Sequence, residues 1–229
     1  MITAIILAAG QSRRMGQPKM LLPWGETTVL GQIIATFQAA EVDDILVVTG
    51  GNKERIEAIV GDSVRTVFNS EHEQGGMLSS IQCGLAGILR PPPALHATSP
   101  REASRRDKSA STHGHERSFG GGFGGGREGA AALIALDDQP QVRERSVRLV
   151  MEAYRRSGAS IVVPSFQMRR GHPWLVARPL WDEILEMRSP ESPRDFLNRH
   201  AEEIHYVAVE DDSILQDLDT PDDYLKSRP

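Results

Sequence analysis

Residues 3–19 of the chain read TAIILAAGQSRRMGQPK, and this stretch decides the fold. The first six residues are apolar without alternation, which is typical of a parallel strand buried on both faces. The polar segment that follows contains Gly10 and Gly16 together with three cationic side chains. Glycines let backbone N–H groups come close to an anion. A buried strand that leads into such a loop therefore predicts a phosphate site at the end of the strand.

Outward from this stretch, the chain alternates apolar runs with helical patterns. We expect further strands at 45–49, 64–68, 131–136, 160–163 and 205–209, and helices at 29–40, 53–60, 77–89, 143–157, 179–187 and 193–200, with a last short helix that begins after Thr220. The alternation predicts an α/β fold in three layers, with a doubly wound, mostly parallel sheet. Ligands of such sheets bind at the carboxyl ends of the strands, where the strand order reverses.

The composition excludes several classes of protein. The 229 residues carry a net charge of −5, and 39% of them are hydrophobic. An acidic balance gives no reason to expect a nucleic-acid partner. No apolar run approaches the length of a spanning helix, so we expect no membrane partner. The single cysteine excludes an internal disulfide framework and a Cys-rich zinc site, and it fits a cytoplasmic location.

Residues 91–129 differ from the rest of the chain. The segment opens on three prolines and ends in a glycine run, and its large hydrophobic residues are Leu95, Phe119 and Phe123 alone. So little apolar surface cannot offset the entropy of ordering the backbone. We expect a disordered, Gly/Ser/Arg/Pro-rich insertion that interrupts a single domain spanning residues 1–229.

The basic loop matches neither common phosphate-binding pattern. Five residues separate Gly10 from Gly16, and Gln17 follows, whereas the Walker pattern needs four residues and then Lys-Ser/Thr. The G-x-G-x-x-G pattern of dinucleotide-binding proteins is also absent. Residues 7–19, LAAGQSRRMGQPK, instead resemble the signature L-A-A/G-G-x-S-x-R-M-G-x-P/D-K of the molybdopterin nucleotidyltransferases. These belong to the nucleoside-triphosphate transferases, which include the sugar-phosphate nucleotidylyltransferases.

Further segments carry the same resemblance in the order that the family has. They are Asn69 with GGMLSS at 75–80, ALDDQP at 135–140, GHP at 171–173 and DLDTPDD at 217–223. The resemblance covers nearly the whole chain except the insertion. Ala9, Gln139-Pro140 and the His172 segment are similar to the branch that uses CTP; the branch that uses GTP usually has glycine where this chain has Ala9.

The resemblance implies a set of site residues. The residues that would bind the nucleotide lie at the end of the first strand, in the basic loop and in the Asn69 segment. They are Leu7, Ala8, Ala9, Gly10, Ser12, Arg14, Lys19, Asn69, Gly76 and Ser80. The catalytic residues are Arg14, Lys19 and Asp138. Asp138 and Asp219 would hold Mg²⁺, which prefers one or two carboxylates plus substrate phosphates. His172 either contacts the acceptor substrate or makes a structural hydrogen bond.

The implied reaction transfers CMP from CTP to the phosphate of molybdopterin cofactor and releases pyrophosphate. GTP as donor, or a sugar phosphate as acceptor, is the nearest alternative. A carrier that binds molybdopterin or nucleotide without catalysis is the alternative from another class. The partners that we expect are CTP or another nucleoside triphosphate, molybdopterin cofactor, and a molybdoenzyme or chaperone as client.

The neighbouring carboxylates Asp137 and Asp138 follow the predicted strand at 131–136. Successive side chains of a strand point to opposite faces. We therefore expect only one of the two to face the cleft, and the family pattern selects Asp138. We also expect neither of them, nor Asp219, to lie in the core.

The insertion generates the first prediction. Closing a loop of n residues costs about (3/2)RT ln n, so replacing residues 91–129 by about six residues should stabilise the fold by roughly 1–2 kcal/mol. We expect the trimmed protein to keep its activity, measured as pyrophosphate release, with urea unfolding as the measure of stability. Loss of activity with an intact fold would make the segment part of the working enzyme.

Overall fold

The computed structural model describes residues 1–61, 64–89 and 130–229. The predicted insertion at 91–129 lies outside the described residues. Within those three ranges, no helix has both the length and the apolar character that crossing a membrane requires.

The described residues form ten strands and seven helices. The strands are β1 (Ile2–Ala8), β2 (Pro23–Trp24), β3 (Thr27–Thr28), β4 (Asp44–Thr49), β5 (Arg65–Phe68), β6 (Ala131–Leu136), β7 (Ile161–Phe166), β8 (Arg169–Arg170), β9 (Trp174–Ala177) and β10 (Ile204–Ala208). The helices are α1 (Val29–Ala39), α2 (Lys53–Val60), α3 (Gly76–Leu89), α4 (Glu144–Ser157), α5 (Trp181–Glu186), α6 (Pro193–Arg199) and α7 (Pro221–Ser227). Each predicted element is present, with ends that differ by at most a few residues.

Eight of the strands form one sheet with the order β10-β7-β9-β6-β1-β4-β5, and β8 pairs with β7. β1 pairs in parallel with β4 on one side and with β6 on the other. β9 is antiparallel to both of its neighbours, β6 and β7. The expected doubly wound, mostly parallel sheet is therefore confirmed, and the strand order reverses at β1.

Strand β9 is not among the strands expected from the sequence. Its four residues, Trp174–Ala177, are all buried, because the strand lies inside the sheet with neighbours on both edges and helices on both faces. A short apolar run of this kind has no alternation and too little length to distinguish a strand from a segment of buried helix.

Alternate residues of β1 pack into two different core layers. Ala4, Ile6 and Ala8 belong to the cluster that contains the apolar faces of α1, α2 and α4. Ile5 and Leu7 belong to the cluster that contains α3, α5 and α6. Both faces of the strand are thus covered, which explains why its sequence is apolar throughout.

Helix α3 packs closely on β1 through Gly84. A Cβ atom at this position would lie 2.5 Å from Cγ2 of Ile5. The methyl group of a β-branched side chain in the sheet cannot rotate away. The helix that begins with Gly76 is therefore held at a short, fixed distance from the strand that carries the basic loop.

This contact generates the second prediction. Gly84→Ala should lower the free energy of unfolding by about 1–3 kcal/mol through overpacking, although alanine favours helix by about 1 kcal/mol. Gly87→Ala is the matched control, because its Cβ would lie 3.0 Å from Cδ2 of Leu46, the end of a flexible side chain. Urea unfolding of both variants tests the pair; equal stabilities would contradict the close packing of α3 on β1.

Candidate active site

A cavity of about 450 Å³ opens at the carboxyl ends of β1 and β6. Four segments line it: the basic loop after β1, the β5–α3 connection with the first turns of α3, the turn after β6, and Asp219 near the end of the chain. Most of the predicted site residues meet here, namely Leu7, Ala9, Gly10, Ser12, Arg14, Lys19, Gly76, Ser80, Asp138 and Asp219. Ala8, Asn69 and His172 are not among the lining residues.

The basic loop is shaped by its own backbone. Ser12 and Gly16 have left-handed φ angles of 48° and 67°, and they flank a 3-10 turn over Arg13–Met15. Glycine adopts this conformation without strain. The hydroxyl of Ser12 accepts a hydrogen bond from the backbone N–H of Lys19 at 3.1 Å, which closes the loop. Met15 is buried, so the loop is anchored on the core while Arg14 extends toward solvent.

Lys19 forms an ion pair with Asp138 inside the cavity. Its ammonium group hydrogen-bonds Oδ2 of Asp138, and both side chains are nearly buried, with 13% and 12% of their surfaces exposed. Burial disfavours the ammonium form, but the carboxylates of Asp137 and Asp138 outweigh it, and the pKa of Lys19 is raised. Lys19 is therefore a fixed positive charge at neutral pH.

Asp137 and Asp138 both line the cavity, so the expectation that they face opposite sides is wrong. β6 ends at Leu136, and the two aspartates occupy a turn in which strand alternation no longer applies. The expectation that they lie outside the core is also wrong, because both are buried. Burial, and then the charge of Asp138, raise the pKa of Asp137 to about 7.

Asp219 reaches the same cavity from the far end of the chain. Its Oδ2 lies 2.9 Å from Nη1 of Arg14, whose side chain is 73% exposed. Two contacts hold this segment against the end of β6: Leu218 N–H donates to the carbonyl of Asp138 at 2.9 Å, and Gln139 Nε2 donates to Asp217 Oδ1 at 2.7 Å. Each predicted metal carboxylate is thus paired with a cation of the basic loop.

The carboxylates fit a divalent cation. Oδ1 of Asp138 and Oδ2 of Asp137 are buried and have no hydrogen-bond partner among the described residues. A buried carboxylate oxygen without a partner is costly, and a bound cation or water would satisfy it. The part of the chain that the structure describes holds no group of three or more His, Cys, Asp or Glu side chains arranged for a metal. Two carboxylates beside a phosphate site nevertheless match the ligands that Mg²⁺ requires.

Asn69 lies behind the cavity wall. Its Nδ2 donates to the hydroxyls of Ser79 at 3.0 Å and Ser80 at 3.1 Å, and its Oδ1 accepts from Glu71 N–H at 2.9 Å. Both amide hydrogens are therefore committed to α3. Asn69 positions the hydroxyl of Ser80, which lines the cavity, whereas direct contact with a nucleotide base stays a prediction for Ser80 and Gly76.

Ala8 and His172 also lie outside the cavity lining. The side chain of Ala8 packs with α1 in the core layer on the other side of the sheet. His172 precedes β9, and its backbone N–H donates to the carbonyl of Ile214 at 3.1 Å. Burial lowers the pKa of His172 to about 4, so its ring is neutral at neutral pH.

The cavity contains residues that the sequence analysis did not select. They are Gln11, Arg13, Met15, His72, Glu73, Met77, Leu136 and Asp137. His72 and Glu73 lie in the same connection as Asn69, three and four residues after it. Their position after a strand end, rather than any residue spacing, is the signal that could have identified them.

The chain matches the model of the MobA-like NTP transferase domain over residues 4–204. It belongs to this family. The chain is therefore a nucleotidyltransferase of the MobA-like type, and the resemblance seen in the sequence is confirmed.

Three curated relatives illustrate the range of the family. The chain is 26% identical to the molybdenum cofactor cytidylyltransferase of Escherichia coli (strain K12), covering 99% of this chain and 95% of the relative. It is 24% identical to the nicotine blue oxidoreductase of Paenarthrobacter nicotinovorans, covering 96% and 92%. A probable molybdenum cofactor guanylyltransferase of Bacillus mycoides (strain KBAB4) is 36% identical over 86 residues, 37% of this chain and 42% of the relative.

Solved structures share the fold. A nucleotidyl transferase from Methanothermobacter thermautotroptrophicus superposes with a TM-score of 0.71 at 21% identity, covering 100% of this chain and 96% of the other. The manganese complex of Rv0371C from Mycobacterium tuberculosis H37Rv superposes with a TM-score of 0.67 at 22% identity, covering 98% and 96%. These likenesses support the architecture described above.

The half-buried His172 generates the third prediction. Its folded pKa of about 4 lies below the ordinary value of 6.5. The contribution of the neutral ring to the free energy of unfolding is therefore fully present above about pH 6.5 and is lost as the pH falls toward 4. Between about pH 7 and about pH 5, the native protein should lose roughly 2 kcal/mol more unfolding free energy than His172→Gln. Urea unfolding at the two pH values measures this difference, and parallel losses would contradict the burial of a neutral ring.

Proposed function

We propose that the protein transfers CMP from CTP to the terminal phosphate of molybdopterin cofactor and releases pyrophosphate, with Mg²⁺ as the metal. The observation that carries the proposal is the arrangement of Arg14 and Lys19 opposite Asp138 and Asp219 in one cavity. Cations that neutralise phosphates, beside carboxylates that hold a metal, are the parts that nucleotidyl transfer requires.

The basic loop would bind the phosphates of the nucleotide. Lys19 and Arg14, with the backbone N–H groups near Gly10, would bind and neutralise the triphosphate and the leaving pyrophosphate. Gly10 leaves this backbone open, because no atom of the described residues lies within 4 Å of where its Cβ would stand. The acceptor phosphate is already ionised, so its oxygen can attack the α-phosphorus without a protein base or nucleophile.

Asp138 and Asp219 would hold the metal. A bound divalent cation supplies neutralisation of the charge that develops on the phosphate oxygens. Phosphates that enter the cavity would draw Lys19 away from Asp138, and Arg14 away from Asp219, because the triphosphate carries the greater charge. The carboxylates released from these pairs would then face the metal. The manganese complex of a structural relative agrees with use of a divalent metal.

Similarity over nearly the full chain to a molybdenum cofactor cytidylyltransferase supports CTP as the donor. Ala9 supports it as well, because it lines the cavity at the position where the GTP-using branch usually has glycine. The guanylyltransferase relatives match a shorter part of the chain. The nicotine blue oxidoreductase matches over nearly the full chain. The experiment therefore has to test whether nucleotidyl transfer takes place, and not only which nucleotide is used.

The experiment incubates the protein with Mg²⁺, with molybdopterin cofactor or a sugar phosphate as acceptor, and with each of the four nucleoside triphosphates in turn, and measures both pyrophosphate release and ligand binding. We expect release with CTP above all. Release mainly with GTP would assign the protein to the guanylyl branch, and release with a sugar phosphate in place of molybdopterin would change the acceptor. Binding of both ligands without pyrophosphate release would favour the carrier.

The fourth prediction concerns the carboxylates. Asp138→Asn keeps the shape of the side chain and removes its charge, so the rate of pyrophosphate release should fall on the order of 10²-fold or more. Asp219→Asn should behave similarly. Asp137→Asn is the matched control, one residue away in the same cavity. It should cost less than about tenfold, because the family pattern assigns the metal to Asp138 and not to Asp137.

Rates are measured across a Mg²⁺ titration, with circular dichroism to verify the fold. Asparagine is nearly isosteric with aspartate, so these variants suit buried positions. A near-normal rate for Asp138→Asn, or a greater loss for Asp137→Asn, would contradict the assignment of the metal ligand.

A further inference from the structure

His72 stands in the wall of the cavity, in the connection between β5 and α3. Its Nδ1 lies 3.0 Å from the carbonyl oxygen of Asn69, and its ring is tilted against that of Phe68, with centroids 5.7 Å apart. The same Asn69 is locked to α3 through its side chain. The imidazole is therefore held in one orientation by a residue that is itself fixed.

The contact with Asn69 determines which ring nitrogen carries hydrogen. A carbonyl oxygen only accepts, so Nδ1 must donate, and in the neutral ring Nε2 is then an acceptor. Among the described residues, no protein group hydrogen-bonds Nε2. The imidazole thus presents one acceptor that none of the described residues uses.

Two glycines after β4 make room for this ring. A Cβ atom at Gly50 would lie 2.6 Å from the carbonyl oxygen of Ala9 and 3.0 Å from Cβ of His72. A Cβ atom at Gly51 would lie 3.4 Å from Nε2 of His72. Glycine at both positions lets the histidine lie against the backbone that follows β4, which in turn lies close to Ala9. His72 itself lines the same cavity as the basic loop.

The strand order separates His72 from the charged end of the cavity. Asp138 follows β6, the basic loop follows β1, and His72 follows β5, with β4 between β1 and β5. Two strand spacings, about 10 Å, separate the basic loop from His72, and three, about 14 Å, separate Asp138 from it. These lengths suit an extended nucleotide whose phosphates meet Arg14 and Lys19 and whose base reaches the β5 side.

We propose that His72 is a residue that determines base specificity, with Nε2 accepting a hydrogen bond from an exocyclic amine of the base. The inference rests on the proposed function and deepens it. Cytosine carries such an amine at position 4, where uracil carries a carbonyl. Two acceptors facing each other leave a polar group without a partner, which a site built for an amine rejects.

CTP and UTP have nearly the same size and differ at this edge of the base. Their relative affinity therefore isolates the hydrogen bond from the fit of the ring. Glu73, the neighbouring residue, also lines the cavity and also carries acceptor atoms. It is the competing source of any preference for an amine, and it supplies the control.

The experiment measures binding of CTP and UTP by titration calorimetry in the presence of Mg²⁺. Three variants are compared with the native protein: His72→Asn, whose amide can replace Nδ1 but leaves nothing at Nε2; His72→Gln, whose amide can reach the Nε2 position; and Glu73→Gln. We expect the native protein to prefer CTP at least tenfold. His72→Asn should lose most of this preference, whereas His72→Gln should retain part of it and Glu73→Gln nearly all of it.

Equal affinity of the native protein for CTP and UTP would overturn the proposal, as would an unchanged preference in His72→Asn or its loss in Glu73→Gln. Circular dichroism verifies that each variant folds. A CTP preference that is retained in His72→Gln and lost in His72→Asn shows that the acceptor atom is responsible, and not the shape of the cavity wall. Pyrophosphate release without any CTP preference would reject the role of His72 alone. A His72-dependent preference without transfer to molybdopterin would reject the proposed reaction and leave the role of His72 intact.

Discussion

The burial of β1 on both faces is the constraint on which the rest of the structure depends. All seven residues of the strand are buried, and it pairs in parallel with β4 on one edge and β6 on the other. Because both faces and both edges of β1 are covered, the segment that follows the strand can leave only at the carboxyl end of the sheet. Because the strand order reverses there, the basic loop opens into a crevice and is not covered by a neighbouring connection.

The electrostatics of the cavity follow from this placement. The chain is acidic overall, with a net charge of −5, yet two cations meet two carboxylates within the cavity. An unpaired buried charge costs several kcal/mol, which is on the order of the net free energy of unfolding of a whole domain. Lys19, nearly buried, is stabilised there because Asp138 is opposite to it. The exposed pair of Arg14 and Asp219 contributes little to stability, and its value lies in holding two functional groups at the rim.

Sequence patterns were sufficient for the framework and for most of the cavity. Apolar runs identified the strands on either side of the site, and the residues of the basic loop, Asp138 and Asp219 meet as expected. The side to which Asp137 turns could not be predicted, because side chains alternate between the two faces only within a strand, and β6 ends one residue earlier. The place of Asn69 behind the wall, and that of His72 within it, depend on hydrogen bonds between the loop and α3 that leave no periodic signal.

The most direct test is a crystal structure of the protein with Mg²⁺ and a CTP analogue that cannot be cleaved between the α- and β-phosphates. We expect the phosphates to contact Arg14 and Lys19, the metal to lie between them and the carboxylates of Asp138 and Asp219, and the base to lie toward the β5–α3 connection. A nucleotide bound outside this cavity, or a metal bound without Asp138, would contradict the assignment of the site.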